Sequence, residues 1–190
     1  MKKWMREALQ KWLARFAVAA VGIAFAGHAS AIVLVLTPSV TDVSVGGAVN
    51  VDVTISGLNS GAPPSVGAFD LDVSYDPAVL NPTGVTFGPF LGNPALFEAL
   101  TDFNCLTPGI VDFAEVSLLS AAQLDAMHPS SFRLATLSFL GIANGTSAFA
   151  LVNDVRVDDA FGVKLAVPEP ATALLMALGL LGLVARLRSR

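Results

Sequence analysis

Between Val49 and Ile55 apolar and polar side chains change places at every step, with Val49, Val51, Val53 and Ile55 interleaved by Asn50, Asp52 and Thr54. Phe69, Leu71, Val73 and Tyr75 alternate in the same way with Asp70, Asp72 and Ser74. A period of two puts each set on its own face of a β-strand and cannot supply the single apolar stripe of a helix. Strands with one dry and one wet face require a second layer to cover the dry side. Further strands are predicted over 32–36, 41–45, 84–87, 110–116, 132–140, 147–152 and 163–167. Turns between them are expected at Gly46-Gly47, over 57–64, and at Asp76-Pro77, Asn81-Pro82 and Asn144-Gly145. Many short strands at this spacing predict an all-β fold, a β-sandwich.

Two short helices are expected in excursions from the sheets. Asn93 followed by Pro94 has the form of an N-cap and first helical residue ahead of 95–100. Ser120 with Gln123 forms a capping-box pattern ahead of Leu124 and Met127.

The chain's formal charge of −4 conceals an uneven distribution. Lys2, Lys3, Arg6, Lys11 and Arg15 stand at the front, and Arg186, Arg188 and Arg190 at the back. Between Ile32 and Val167 only Arg133, Arg156 and Lys164 face thirteen carboxylates, a net of −10. Such a surface repels phosphates, so no nucleic-acid partner is expected. Cys105 is the sole cysteine, which rules out an intramolecular disulfide. A catalytic thiol would need His128, the one histidine of that region, beside it; a plain buried or loop thiol is expected. There is no zinc-ligand cluster, nucleophile motif or phosphate loop, so the chain is expected not to be an enzyme and no catalytic residue is assigned.

The two ends have the composition of targeting segments. Residues 1–15 are basic, 16–26 are an apolar run, and Ala29-Ser30-Ala31 places small residues at the −3 and −1 positions of a signal-peptide site, with cleavage expected after Ala31. The expected partners there are the Sec translocon and signal peptidase. Residues 171–185 form fifteen uncharged residues, about 22 Å as a helix against a hydrocarbon core of about 30 Å. Arg186, Arg188 and Arg190 would flank that short transmembrane helix on the cytoplasmic side. Before it, Val167-Pro168-Glu169-Pro170 should be extended, because its prolines lock φ and remove backbone donors. Motif, apolar span and basic end together resemble the PEP-CTERM sorting signal of Gram-negative bacteria over 167–190. The resemblance implies recognition of Pro168, Glu169 and Pro170 by an exosortase-type transpeptidase. It also implies an inner-membrane-anchored intermediate with a periplasmic ectodomain, then the cell surface or extracellular matrix.

In the middle, Val45-Gly46-Gly47-Ala48-Val49 and the run from Gly67 through Tyr75-Asp76-Pro77 to Leu80 resemble the opening half of cohesin modules. Leu134 to Phe139, Asn144-Gly145-Thr146 and Asn153-Asp154-Val155 resemble the closing half. The resemblance spans most of 32–166 and implies a nine-stranded jelly-roll sandwich that binds a protein or polysaccharide ligand. Cohesins of cellulosomes bind dockerins, and related sandwiches are carbohydrate-binding modules.

An aromatic sugar platform is disfavoured: Trp4 and Trp12 leave with the signal, and Tyr75 shares the inward face with Phe69 and Leu71. The outward set Asn50, Asp52, Thr54, Asp70 and Asp72 is polar enough for protein pairing, and it would equally suit a solvated sheet face. Asn153, Asp154, Asp158 and Asp159 offer oxygens to a calcium ion, but their spacing is not that of a known loop; an acidic turn is expected, with no cofactor and no metal site. The expectation is a non-enzymatic surface or biofilm-matrix protein, acting by recognition or as a structural component.

Overall fold

The computed structural model describes residues 32–167. The elements in chain order are β1 (Val33–Pro38), β2 (Asp42–Val43), β3 (Ala48–Ser56), β4 (Val66–Ser74), β5 (Leu80–Phe87), a 3-10 turn (Pro94–Leu96), β6 (Ala99–Asn104), β7 (Ile110–Ser117), α1 (Ala121–Met127), β8 (Ser131–Gly141), β9 (Gly145–Thr146) and β10 (Ala150–Asp159). Two four-stranded antiparallel sheets, β1-β3-β8-β5 and β10-β4-β7-β6, face each other, and β2 pairs with β9 in a small third sheet.

The alternation that predicts strands also fills the space between the sheets. Val49, Val51, Val53 and Ile55 of β3 are buried, and Phe69, Leu71 and Val73 of β4 meet them from the other side with Val111 and Phe113 of β7. Phe69 stands edge-on to Phe113 with ring centroids 5.8 Å apart, and Tyr75 leans on Phe139 at 5.3 Å. Each of these large side chains contributes about 1.5–3 kcal/mol by leaving water. Leu134 and Ala135 of β8 are consecutive and both buried, which strict alternation forbids. The register explains them: Val53 faces Ala135 and Thr54 faces Arg133, so Leu134 is the extra residue of a bulge.

Several expected elements differ. The helix expected over 95–100 is only the 3-10 turn: the Asn93 carboxamide does cap it by accepting from Ala95 N–H, but Phe97 enters the left-handed region at φ 59° and Ala99 opens a strand. That strand, β6, carries no alternating signal because it is an edge whose two sides are both wet over much of its length. Asn81-Pro82 is not a turn but part of β5, an edge strand where a missing N–H is tolerated next to an irregularity between Pro82 and Gly84. The strand expected over 147–152 extends through Asp159, and the one expected over 163–167 is reduced to a single bridge between Asp158 and Lys164. Among the described residues eight strands form the two main sheets and two the small one, in place of nine. The capping box at Ser120 and Gln123 forms as expected. Among the described residues no helix is long and apolar enough to cross a membrane; the expected signal and transmembrane helices lie outside those residues.

Candidate functional site

The sandwich has two broad outer faces, and they use their polar groups differently. On the first sheet, Asn50 Oδ1 accepts from Ser138 Oγ at 3.1 Å, and Asp52 Oδ1 accepts from Thr136 Oγ1 at 2.6 Å while Arg133 approaches it at 3.5 Å. Those cross-strand pairs satisfy the face from within. The expected outward set is therefore divided, with Asn50, Asp52 and Thr54 on this side and Asp70 and Asp72 on the opposite one.

On the second sheet the register gathers carboxylates. Asp72 of β4 lies opposite Asp112 of β7, and Ala114 of β7 lies between Asp70 of β4 and Asp102 of β6. Asn104 Nδ2 donates to Asp112 at 2.8 Å and Asn153 Nδ2 donates to Asp72, so both are oriented by carboxamides. Neither carboxamide neutralises its acid. Asp70 is held above the usual carboxylate range, first by partial burial and then by the charges of Asp112 and Asp72, with Arg156 opposing. Like charges set opposite each other on a sheet cost stability, so this face stores a demand for cations. At one end Leu100 and Val116 form an exposed apolar cross-strand pair, and Phe97, 84% exposed, lies beyond them in the chain.

The other candidates resolve individually. His128 is buried: Nδ1 accepts from Val66 N–H at 3.2 Å and Nε2 donates to the Phe90 carbonyl at 2.9 Å, which defines a neutral imidazole packed between Phe90 and Phe132. Burial lowers its pKa. With both nitrogens committed to backbone it fastens the chain after α1 to the start of β4, and neither nitrogen is free to act as base for a thiol. Cys105 is half-buried against the core, its thiol pushed up by burial and then by Asp112, the reverse of an activated nucleophile.

The residues considered for calcium do not form one turn. Asn153, Asp154, Asp158 and Asp159 all lie in β10 and point their groups to different partners. Asp154 pairs with Lys164 at 2.7 Å, Asp158 pairs with Arg156 at 2.7 Å, and Asp159 Oδ1 accepts from the N–H groups of Phe161 and Val163. Among the described residues no group of three or more His, Cys, Asp or Glu is placed to hold a metal ion.

Asp102, Asp112 and Arg156 were not singled out from the sequence. Asp112 could have been, since it alternates with Val111 and Phe113, whereas Asp102 lies in the unpredicted edge strand. Pro168, Glu169, Pro170, Arg186, Arg188, Arg190, Ala29 and Ala31 lie outside the described residues.

Residues 34–139, more than half of the chain, match the model of the cohesin domain. The chain belongs to the cohesin-domain family. Its sandwich is similar to the sixth cohesin of scaffoldin B from Acetivibrio cellulolyticus, a structure solved in complex with a mutant Cel5 dockerin, at 15% identity and a TM-score of 0.56 over 72% of this chain and 93% of that one. A type II cohesin domain from the cellulosome of the same organism gives 20% identity and a TM-score of 0.57 over 72% and 88%. The solution structure of CaCohA2 from Clostridium acetobutylicum gives 22% and 0.56 over 72% and 84%. At these identities the likeness shows the fold. A search of curated proteins finds no match.

Residues 166–189 match the PEP-CTERM protein-sorting motif. The cohesin-domain and sorting-motif matches together support a secreted surface protein that carries a protein-interaction module.

Proposed function

We propose that the chain is a non-enzymatic, exported adhesion protein whose cohesin domain binds a protein partner through the outer face of the second sheet. The carrying observation is the contrast between the faces: Asp52 is consumed by Thr136 and Arg133, whereas Asp70, Asp72, Asp102 and Asp112 keep net charge facing water. The complementary partner presents Lys or Arg side chains to the carboxylates and an apolar contact to Leu100 and Val116. Burial of Tyr75 supports a protein ligand over a sugar that stacks on aromatic rings.

In the same proposal the signal peptide is removed after Ala31. Residues 171–185, flanked by Arg186, Arg188 and Arg190, hold an inner-membrane intermediate. Pro168, Glu169 and Pro170 are then read by an exosortase, which releases the domain to the surface or matrix.

Two measurements test this. Surface proteins of the producing bacterium are passed over immobilised residues 32–167 carrying either the native sequence, Asp70→Lys with Asp102→Lys, or Asp52→Asn. One retained protein should be lost with the double variant and at high salt, and kept with Asp52→Asn. Equal retention by all three would refute the acidic face. The intact mass of the surface form should correspond to a chain shortened near Pro168; a full-length C-terminus in cells with active exosortase would refute processing.

A further inference from the structure

The two main sheets end in four edge strands, β1 and β5 on the first and β10 and β6 on the second. An edge leaves main-chain donors and acceptors unpaired, and folds blunt it with charges, prolines or bulges. Three of these four are blunted. β5 carries Pro82 beside its register shift, and β6 carries Asp102. β10 carries Asp154 and Arg156, a register break between Val152 and Arg156, and Asn153 in the left-handed region at φ 57°. β1 has none of these before Pro38. Val33-Leu34-Val35-Leu36-Thr37 is uncharged, pairs in unbroken register with β3, and has no other strand partner among the described residues.

Ser39 N–H donates to the Asn50 carbonyl at 2.7 Å, which sets the phase of the β1–β3 ladder. Antiparallel strands bond through every second residue, so Thr37, Val35 and Val33 aim their main-chain groups at β3, and Leu34 and Leu36 aim theirs at the open edge. Beside that edge, toward β10, lies an apolar groove of about 1210 Å³ bordered by the half-buried Leu34, Leu36 and Leu151. Asp154 and Lys164, its charged lining residues, pair with each other at 2.7 Å, so the groove presents no unmatched charge. On the outer side Val33 and Val35 are 46% and 45% exposed.

We propose that a second copy of this chain pairs with β1 along its open edge, antiparallel, about a two-fold axis at Val35. The segment is self-complementary there. Leu34 comes opposite the partner's Leu36 and Leu36 opposite the partner's Leu34, and each such pair exchanges both N–H···O bonds through groups that are otherwise unpaired. Val35 meets the partner's Val35 as a non-hydrogen-bonded pair, with Cα atoms about 4.5 Å apart. This centring uses all five residues before Pro38. Centring on Leu36 would set Pro38, which lacks an N–H, opposite Leu34; centring on Leu34 would leave out Thr37 and draw in the buried Ile32. No like charges meet across the axis. The excess of carboxylates between Ile32 and Val167 still makes the two copies repel at a distance, so salt strengthens this contact, whereas it weakens a basic partner's hold on the acidic face. Because β1 belongs to the first sheet, the pairing leaves that acidic face free.

The test uses the full chain with Cys105→Ser, expressed in the producing bacterium, treated with a thiol oxidant in whole cells and resolved on non-reducing gels. Val35→Cys should give a disulfide-linked species of twice the chain's mass, because cysteines about 4.5 Å apart at Cα satisfy disulfide geometry. Val33→Cys, equally exposed on the same face, should give at least about tenfold less, because its counterpart is displaced by four residues, about 13 Å. Equal yields from the two variants, or none from either, would overturn the proposal. A Val35→Cys product of any other mass would give the edge to a different protein and overturn it as well. In sedimentation of the purified full chain with its native cysteine, the dimer fraction should rise between about 0.05 and 0.5 M sodium chloride. Val35→Lys sets two ammonium groups against each other at the axis and should raise the midpoint concentration at least about tenfold while keeping the monomer's melting temperature. An unchanged midpoint for Val35→Lys, or a dimer that weakens with salt, would refute the pairing.

Discussion

Glu115 is 1% exposed on the inward side of β7, beside Phe69 in the register, and among the described residues neither carboxyl oxygen has a hydrogen-bond partner. Burial pushes its pKa from 4.5 up to about 8. The folded protein therefore keeps a proton that the unfolded chain has lost throughout the interval between those values. By linkage, stability is full below pH 4.5, falls as pH rises, and levels off above about 8. The displacement of about 3.5 units at about 1.36 kcal/mol each amounts to about 5 kcal/mol, a large part of a typical domain's 5–15 kcal/mol. Glu115→Gln keeps the shape and removes the charge. Urea unfolding of residues 32–167 at half-unit steps from pH 4.5 to 9 should give curves that nearly coincide at the acid end and diverge upward, with the Gln variant more stable by several kcal/mol at pH 8.5. Taking the difference between the two proteins cancels every other titrating group they share. A difference independent of pH, or a native protein that gains on the Gln variant as pH rises, would refute the argument.

His128 acts in the opposite direction. Its folded pKa is depressed from 6.5, so its contribution is intact above that value and lost as pH falls; His128→Ala should cost roughly 3 kcal/mol in denaturant titration and remove that acid limb. A Cβ on Gly88 would collide with the backbone carbonyl of Arg133, so Gly88→Ala should lower stability by more than about 1 kcal/mol and lower the melting temperature with it. Phe97 is exposed at positive φ, so Phe97→Gly should raise the melting temperature, with a gain of about 1 kcal/mol.

The residues that alternate were legible because burial on one face is a property of position along a strand. Val49 to Ile55 and Phe69 to Tyr75 needed no tertiary information to be placed, and the family resemblance then assembled them into a sandwich. Ala99–Asn104 escaped because Thr101 and Phe103, on the inward side, are still exposed at the sheet's edge, and the pattern that marks a strand vanishes where the covering layer ends. Segment 163–167 misled in the other direction. Val163, Leu165 and Val167 alternate like a strand, but Val163 is exposed, and Leu165 and Val167 gain their burial by packing against the core beside β10, with a single bridge in place of a ladder. The acidic face was half legible: Asp70 and Asp72 stood out, but the sheet that unites them with Asp102 and Asp112 brings together residues from three strands, and no local pattern encodes strand order. Glu115 stands inward by the same alternation that buries Val111 and Phe113, a charged residue at an apolar position of the period.

Val33 at the start of the first strand and Val167 at the last described residue both border the same groove. The described chain thus enters and leaves the sandwich on one narrow side, and its two broad faces are turned away from both ends. The carboxylate-bearing face of the second sheet therefore carries neither end of the described chain and is open along its length to a partner.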